Sequence, residues 1–251
     1  VSLLAGIVNE KGRIAARSGV GAVMGSKRIK AIAVRGGKGR RIEVADKAGL
    51  KEAQQRYLEL IKGSGFLKGL SAPGTGGGVS FLLSIGDCPA DNWATTGSDA
   101  LPTCGQLDTP KIDAYKLKTY GCSACPVRCG ALVKIPDGPY ASQDETHRPE
   151  YETLGALGLL CRVDSAEAVI RANEICNRFG LDTIGTGGAI AFAIECYEKG
   201  IIGPQDTGGL ELSWGDSAMV VKLVEQMARR EGFGAVLADG SRRASERIGR
   251  G

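Results

Sequence analysis

The sequence predicts a mostly helical protein with a small β remnant at its N-terminus, α+β overall. Two observations carry this. Apolar residues recur at helical spacing in 45–62 and in several stretches after residue 164, each with a start or stop signal. Strand-like runs stand near the start, at 1–8 and at Ile29–Arg35.

Each element follows in order. Between the two N-terminal strands lies Arg17–Lys27, a glycine-rich turn or short helix. Residues 45–62 place Leu50, Ala53, Tyr57, Leu60 and Ile61 at helical spacing. Residues 63–110 are rich in glycine, proline and polar residues and read as irregular loops. After residue 130 the chain is expected to turn helical. Asp164-Ser165-Ala166-Glu167 reads as a capping-box start with Asp164 as cap. That helix runs to Phe179 and stops at Gly180. A second covers 183–199, a third starts after Asp216 and ends near Gly232, and a fourth covers 240–248. Val220, Leu223, Val224 and Met227 form a core stripe. There is no internal repeat and no low-complexity tract.

The chain has 251 residues, enough for one large or two medium domains. At 43% hydrophobic it can bury a sizeable core. A net charge of +4 does not by itself imply a polyanionic partner, and 5% aromatics argue against base stacking. Eight cysteines are too few for a disulfide scaffold at this length and suit a metal site in a reducing cytoplasm. No apolar run approaches the ~20 residues that span a bilayer, and no signal-peptide pattern is read, so no membrane partner is expected. The chain opens at Val1 inside strand-like sequence, which predicts a piece of a longer protein.

Cys122-Ser-Ala-Cys125-Pro-Val-Arg-Cys129 sets three thiols at C-x2-C-x3-C spacing between Gly121 and Gly130. Soft thiolates select zinc or iron–sulfur clusters. A cubane cluster takes four cysteines, so one must come from elsewhere. Structural zinc, with Cys104 or His147 as fourth ligand, stands level with the cluster on spacing alone. His147, the only histidine, sits in polar sequence and reads as exposed. Cys88, Cys104, Cys161, Cys176 and Cys196 lack metal spacing; Cys176 and Cys196 read as buried small hydrophobes on helices. Residues 26–42 carry seven Lys or Arg and no acid, a pattern that usually marks a solvated face. Gly19, Gly21 and Gly25 with Arg17 could form an anion nest.

Six segments together resemble the tungsten- and molybdenum-dependent aldehyde:ferredoxin oxidoreductase family. They are Ala16–Gly36, Pro89–Trp93, the cysteine loop, Pro149-Glu150-Tyr151-Glu152-Thr153, Asn177–Asp182 and Leu237–Gly249. The resemblance implies that 1–40 is the tail of a pterin-carrying β domain. It implies that 41–251 is the multihelical iron–sulfur and pterin-binding second domain, with a third domain missing. It further implies a tungsten or molybdenum bis-pterin and a [4Fe-4S] cluster, oxidation of a small aldehyde, and ferredoxin as electron acceptor.

Residue by residue, Cys122, Cys125 and Cys129 would be cluster ligands, the fourth cysteine lying beyond Gly251. Glu152 would be the acid–base group; buried beside a metal-bound oxygen, its pKa would be raised. Ala16, Arg17 and Gly19 would face the cofactor phosphates. Asn177, Leu181 and Asp182 match the family's Asp-x-x-Gly-Leu-Asp pterin motif, with Asn177 in place of the first Asp. Asp182 equally reads as a helix N-cap. The family's mononuclear iron motif, Glu-x-x-His, is absent: the stretch reads Arg171-Ala-Asn-Glu174. Two alternatives stand beside this reading. One is a zinc-stabilised nucleic-acid-binding module; the other is a family member acting on another carbonyl or acyl substrate.

Overall fold

The computed structural model describes residues 2–9, 12–37 and 42–250. The domain boundary expected at 40/41 and the basic residues 38–41 lie outside them.

The β remnant is a hairpin of β1 (Ile7–Asn9) and β2 (Arg13–Ala15), with Val8 opposite Ile14. Gly12 turns it at φ +136°, where a side chain would strike the His147 ring, 2.8 Å from an added Cβ. Three backbone contacts fasten the segment to the helical body. Gly6 N donates to Gly180 O (2.8 Å), Asp182 N donates to Leu4 O (2.9 Å), and Ala5 bridges Leu181. Helix α1 (Val20–Ser26) follows. Residues 29–37 adopt no strand, contrary to the expectation for 29–35. A strand needs a partner ladder, and Val34 is instead 90% exposed.

Helix α2 (Lys47–Gly63) forms where predicted, capped by the Asp46 carboxylate accepting from Gly49 N (2.9 Å). It buries none of its apolar stripe. The expected loop region 63–110 instead holds α3 (Gly65–Ser71), α4 (Val79–Ser84), α5 (Thr109–Ile112) and the small hairpin β3 (Pro89–Ala90) with β4 (Thr95–Thr96). These elements span at most two turns, too short for periodicity to register.

The cysteine loop joins β5 (Lys116–Tyr120) to β6 (Gly130–Val133), and β7 (Thr146–His147) completes an antiparallel sheet of order β5-β6-β7. The expectation of helix directly after the loop therefore fails: helix begins only at α6 (Tyr151–Leu157). β7 is two residues long and carries no alternation.

The core is helical. α7 (Ala166–Phe179) ends at Gly180 in the left-handed conformation, as predicted. Its N-cap is Ser165, whose hydroxyl accepts from Ala168 N (3.2 Å), one residue after the expected Asp164. α8 (Thr183–Glu198) buries most of its circumference from Thr186 to Cys196, with Gly188, Phe192 and Glu195 half-buried on the remaining face, and is the central helix. α9 (Pro204–Thr207) leads to α10 (Ser217–Arg229), which buries Met219, Val220, Leu223, Val224 and Met227 against α7. α11 (Gly234–Leu237) and α12 (Ser241–Ile248) close the domain. α6 and α8 cross closely because Gly187 lacks a side chain: an added Cβ would lie 2.3 Å from Ala156 O. That crossing sets Glu152 and Asp182, near the starts of the two helices, beside one cleft. The fold is mostly α, α+β overall, and no helix among the described residues is long and apolar enough to cross a membrane.

Candidate functional site

A cleft of about 630 Å³ opens between the N-terminal hairpin and the starts of α6 and α8. Its walls bring together Ala16, Arg17, Glu152, Asn177, Leu181 and Asp182, six of the residues singled out in the sequence. Gly19 does not line it. Ser18 and Gly19 take consecutive left-handed conformations (φ 68° and 72°) at the entry to α1.

Asp182 is both a cap and a cleft residue. It is 6% exposed; its Oδ2 accepts from Gly185 N (2.9 Å) and pairs with Arg17 Nη1 (3.2 Å). Arg17 is 60% exposed, so this pair adds little stability. Its guanidinium is held at the cleft mouth rather than locked into the fold. Asn177 Nδ2 donates to Thr146 Oγ1 (2.9 Å), orienting the amide. The Leu181 side chain is buried beneath the Ala5 bridge.

Glu152 stands in the first turn of α6, where the helix dipole favours an acid. It is exposed at the cleft edge, not buried as expected. Glu150, two residues earlier, is already committed: it pairs with Arg13 (2.6 Å) and accepts from Thr75 Oγ1.

His147 is 7% exposed, against the expectation of an exposed histidine. β7 draws it inward, with His147 opposite Leu132 in the ladder. Its Nδ1 bonds the Tyr120 hydroxyl, and the rings meet edge to face (centroids 4.9 Å, 70°). Burial pushes the Tyr120 phenol up, opposed by nearby Arg13.

Cys122 is exposed and Cys125 and Cys129 half-buried. The loop is turned by Cys125 N donating to Cys122 O (3.0 Å) and by left-handed Ala124 and Arg128. Among the described residues no three Cys, His, Asp or Glu side chains converge on one point. Cys104, one proposed zinc partner, is buried, and burial pushes its thiol up to about 12. Cys161 and Cys176 are pushed up to about 12 by burial as well, while Cys88 and Cys196 are buried small hydrophobes.

Sequence reasoning missed Arg148. Its side chain is 4% exposed and lines the cleft. Nη2 donates to Cys129 O (2.8 Å), and Nη1 donates to Ala72 O (3.1 Å) and Asp113 Oδ1 (2.8 Å). It ties the cysteine loop to the cleft wall. No local pattern marks an arginine for such burial; only the contacts reveal it.

Comparison with known proteins places these features. Residues 52–251 match the family description "Aldehyde ferredoxin oxidoreductase, domains 2 & 3", and residues 1–36 match "Aldehyde ferredoxin oxidoreductase, N-terminal domain". The tungsten-containing aldehyde ferredoxin oxidoreductase of Pyrococcus abyssi is 37% identical over 249 residues, covering 97% of this chain and 39% of that protein. The aliphatic sulfonate oxidoreductase WOR-like subunit of Pyrococcus furiosus is 32% identical, covering 97% of this chain and 38% of that protein. The active-site complex BamBC of benzoyl coenzyme A reductase, solved with 1,5-dienoyl-CoA, superposes with a TM-score of 0.78 at 26% identity, covering 99% of this chain and 38% of that one. The chain thus spans about two fifths of the length of these relatives. The nucleic-acid module is not favoured, since the matches run along both ends of the chain to oxidoreductases. The chain belongs to the aldehyde ferredoxin oxidoreductase family.

Proposed function

We propose that this chain is part of an oxidoreductase that converts aldehydes to carboxylic acids at a tungsten or molybdenum bis-pterin centre. Electrons would leave through a [4Fe-4S] cluster to ferredoxin, in the cytoplasm. The observation that carries this reading is the cleft, which gathers Ala16, Arg17, Glu152, Asn177, Leu181 and Asp182 from three separate segments. We divide the chain as 1–40, the tail of the pterin-carrying domain, and 41–251, the helical domain. Further domains of the same polypeptide would close the site and supply the fourth cysteine.

The donor set fits the groups proposed. A pterin edge offers paired N–H donors; the Asp182 carboxylate and the Asn177 amide oxygen are acceptors in one wall. Arg17 supplies a charge-assisted donor to phosphate at the mouth. The three thiols of the loop, on one exposed and two half-buried residues, suit iron. When bound, the metal centre supplies two-electron oxidation, with water as oxygen source. The net change is aldehyde plus water to acid plus two protons and two electrons. Glu152 takes up one of those protons at its carboxylate from the cleft edge. Leu181 and the hairpin backbone exclude bulk water from the cleft floor. Arg148 holds the Cys129 carbonyl, and with it the loop, against the cleft wall.

Asn177 in place of an acid, with the 1,5-dienoyl-CoA held by the BamBC neighbour, supports a second reading: a family member acting on another acyl compound. A panel of aldehydes and acyl thioesters separates the two.

The test is elemental analysis of the full-length protein purified without oxygen. About four irons with one tungsten or molybdenum per chain is the expected result; zinc alone overturns the proposal. Glu152→Gln is expected to keep the metals and lower turnover by about 10²–10⁴. Unchanged turnover removes Glu152 from the mechanism.

A further inference from the structure

A second cavity, of about 200 Å³, adjoins the cleft. The two share Glu152 and Ile184. A molecule whose reactive end reaches Glu152 from the cleft side therefore has a place for its other end. We propose that this cavity, bounded by Trp93, Tyr151, Gly155 and Leu160, receives the substrate's side chain and selects a neutral, apolar group of about one ring. This deepens the reading above and rests on it.

Size, chemistry and backbone agree. An apolar cavity of about 150 Å³ is enough to take benzene, so this one admits a phenyl or short branched alkyl group and little more. Its wall is Pro89, Trp93, Leu160, Ile184 and the Tyr151 ring, with Asp87 and Glu152 as the charged members and no lining cation. Two carboxylates without a cation disfavour side chains that carry an acid of their own.

One glycine lines the space and leaves its helix wall bare. Gly155 lies in α6, and an added Cβ there would meet only Cys88 Sγ, at 3.8 Å. A larger side chain would enter the cavity without straining the helix. The Tyr151 phenol lies beside the buried Cys88 thiol, and burial pushes the phenol up.

The opposite wall is held in an uncommon backbone. Asp91, Asn92 and Trp93 are three successive non-glycine residues in the left-handed region (φ 49°, 48° and 67°). Four contacts keep them there. Asn92 N donates to Leu160 O (3.2 Å) and Asn92 Nδ2 to Glu195 Oε2 (2.5 Å). Thr95 Oγ1 donates to Asp91 Oδ2 (2.6 Å), and Arg162 pairs with Asp91 (3.0 Å). This restraint ends on Trp93, a 64% exposed indole at the cavity wall. Such conformations persist where surrounding contacts over-determine them, and they cluster at ligand sites. The Pro89–Trp93 segment, one of the six carrying the family resemblance, thereby acquires a task.

The experiment uses the full-length holoenzyme, wild type against Gly155→Val, Trp93→Gly and Trp93→Phe. Trp93→Gly removes the ring while suiting the left-handed backbone. The first readout is the ratio of kcat/KM for benzaldehyde to that for acetaldehyde, with glyoxylate as the anionic probe. The second needs no turnover: quenching of tryptophan emission by neutral benzamide, the part lost in Trp93→Phe being the Trp93 signal. The expected results are at least about a tenfold fall in the ratio for Gly155→Val, a fall for Trp93→Gly, and benzamide quenching that Gly155→Val abolishes. Should Gly155→Val fail to fold, Gly155→Ala carries the same test with a smaller fall. A ratio unchanged in Gly155→Val and Trp93→Gly, or benzamide quenching that Gly155→Val leaves intact, overturns the proposal. If wild type oxidises no aldehyde yet benzamide quenches Trp93 in a Gly155-dependent way, the aldehyde reading fails and the apolar site stands.

Discussion

Arg148→Met separates the arginine's work from its bulk. The substitution keeps an unbranched side chain of similar reach in a site only 4% exposed, and removes three donated hydrogen bonds. Asp113 is not stranded, because Lys116 Nζ remains 2.5 Å from its Oδ2. The carbonyls of Ala72 and Cys129 lose their charged donor. Net values of about 1.5–3 kcal/mol per hydrogen bond to a charged group are partly offset by the apolar contacts methionine gains. Three such bonds, less that offset, leave about 3–5 kcal/mol as the expected loss. At roughly 2–4 °C per kcal/mol for a domain of this size, the unfolding midpoint falls by about 6–20 °C. Differential scanning calorimetry of wild type, Arg148→Met and Arg148→Lys side by side reads this. Lysine keeps the charge but lacks the fork that reaches three acceptors, so it falls between the two. A midpoint loss under about 3 °C for Arg148→Met, or full recovery by lysine, refutes the reasoning that the forked contact holds the loop.

Two further outcomes are expected. Gly187→Ala sets a Cβ 2.3 Å from Ala156 O, so α6 and α8 must part, at a cost of about 1–3 kcal/mol; a urea titration showing no loss would contradict the close crossing. Tyr115→Phe should flatten stability against pH at both ends. The Tyr115 hydroxyl bond, against the effect of burial, holds the Glu167 carboxyl below its usual range, while the same bond pushes the phenol up to about 12. The glutamate contribution is present above its unfolded pKa of about 4.3 and is lost as pH falls through the lowered folded value. The tyrosine contribution is present below its ordinary pKa of 10.0 and is lost as pH rises towards about 12. Wild-type and variant unfolding midpoints that run parallel at both extremes would refute the pairing.

The elements legible in advance are those whose signals are local. α7 ends at Gly180 because only a left-handed residue closes that turn, and α10 presents Val220, Leu223, Val224 and Met227 because they recur with the helix period. Even there Ser165 displaced Asp164 as cap: adjacent residues of equal capping strength are separated only by which backbone angle the preceding loop imposes. Ile29–Arg35 forms no strand, because β-branched residues state only a preference and a ladder also needs a neighbour. β7 is the converse, two unremarkable residues made strand by β6 beside them.

The site divides in the same way. By itself the sequence determined the spacing of Cys122, Cys125 and Cys129, the caps and stops of the long helices, and the motif residues Asn177, Leu181 and Asp182. All of these depend on contacts within a few residues. Only the tertiary structure decided that Ala16 and Arg17 share a cleft with Glu152 and Asp182, that Glu152 stands exposed at its edge, and that His147 turns inward. It also decided that Arg148 reaches the Cys129 carbonyl. Such contacts close loops of up to 165 residues, as between Arg17 and Asp182. They form only when the whole core has been bought in entropy, so no short stretch of sequence can encode them.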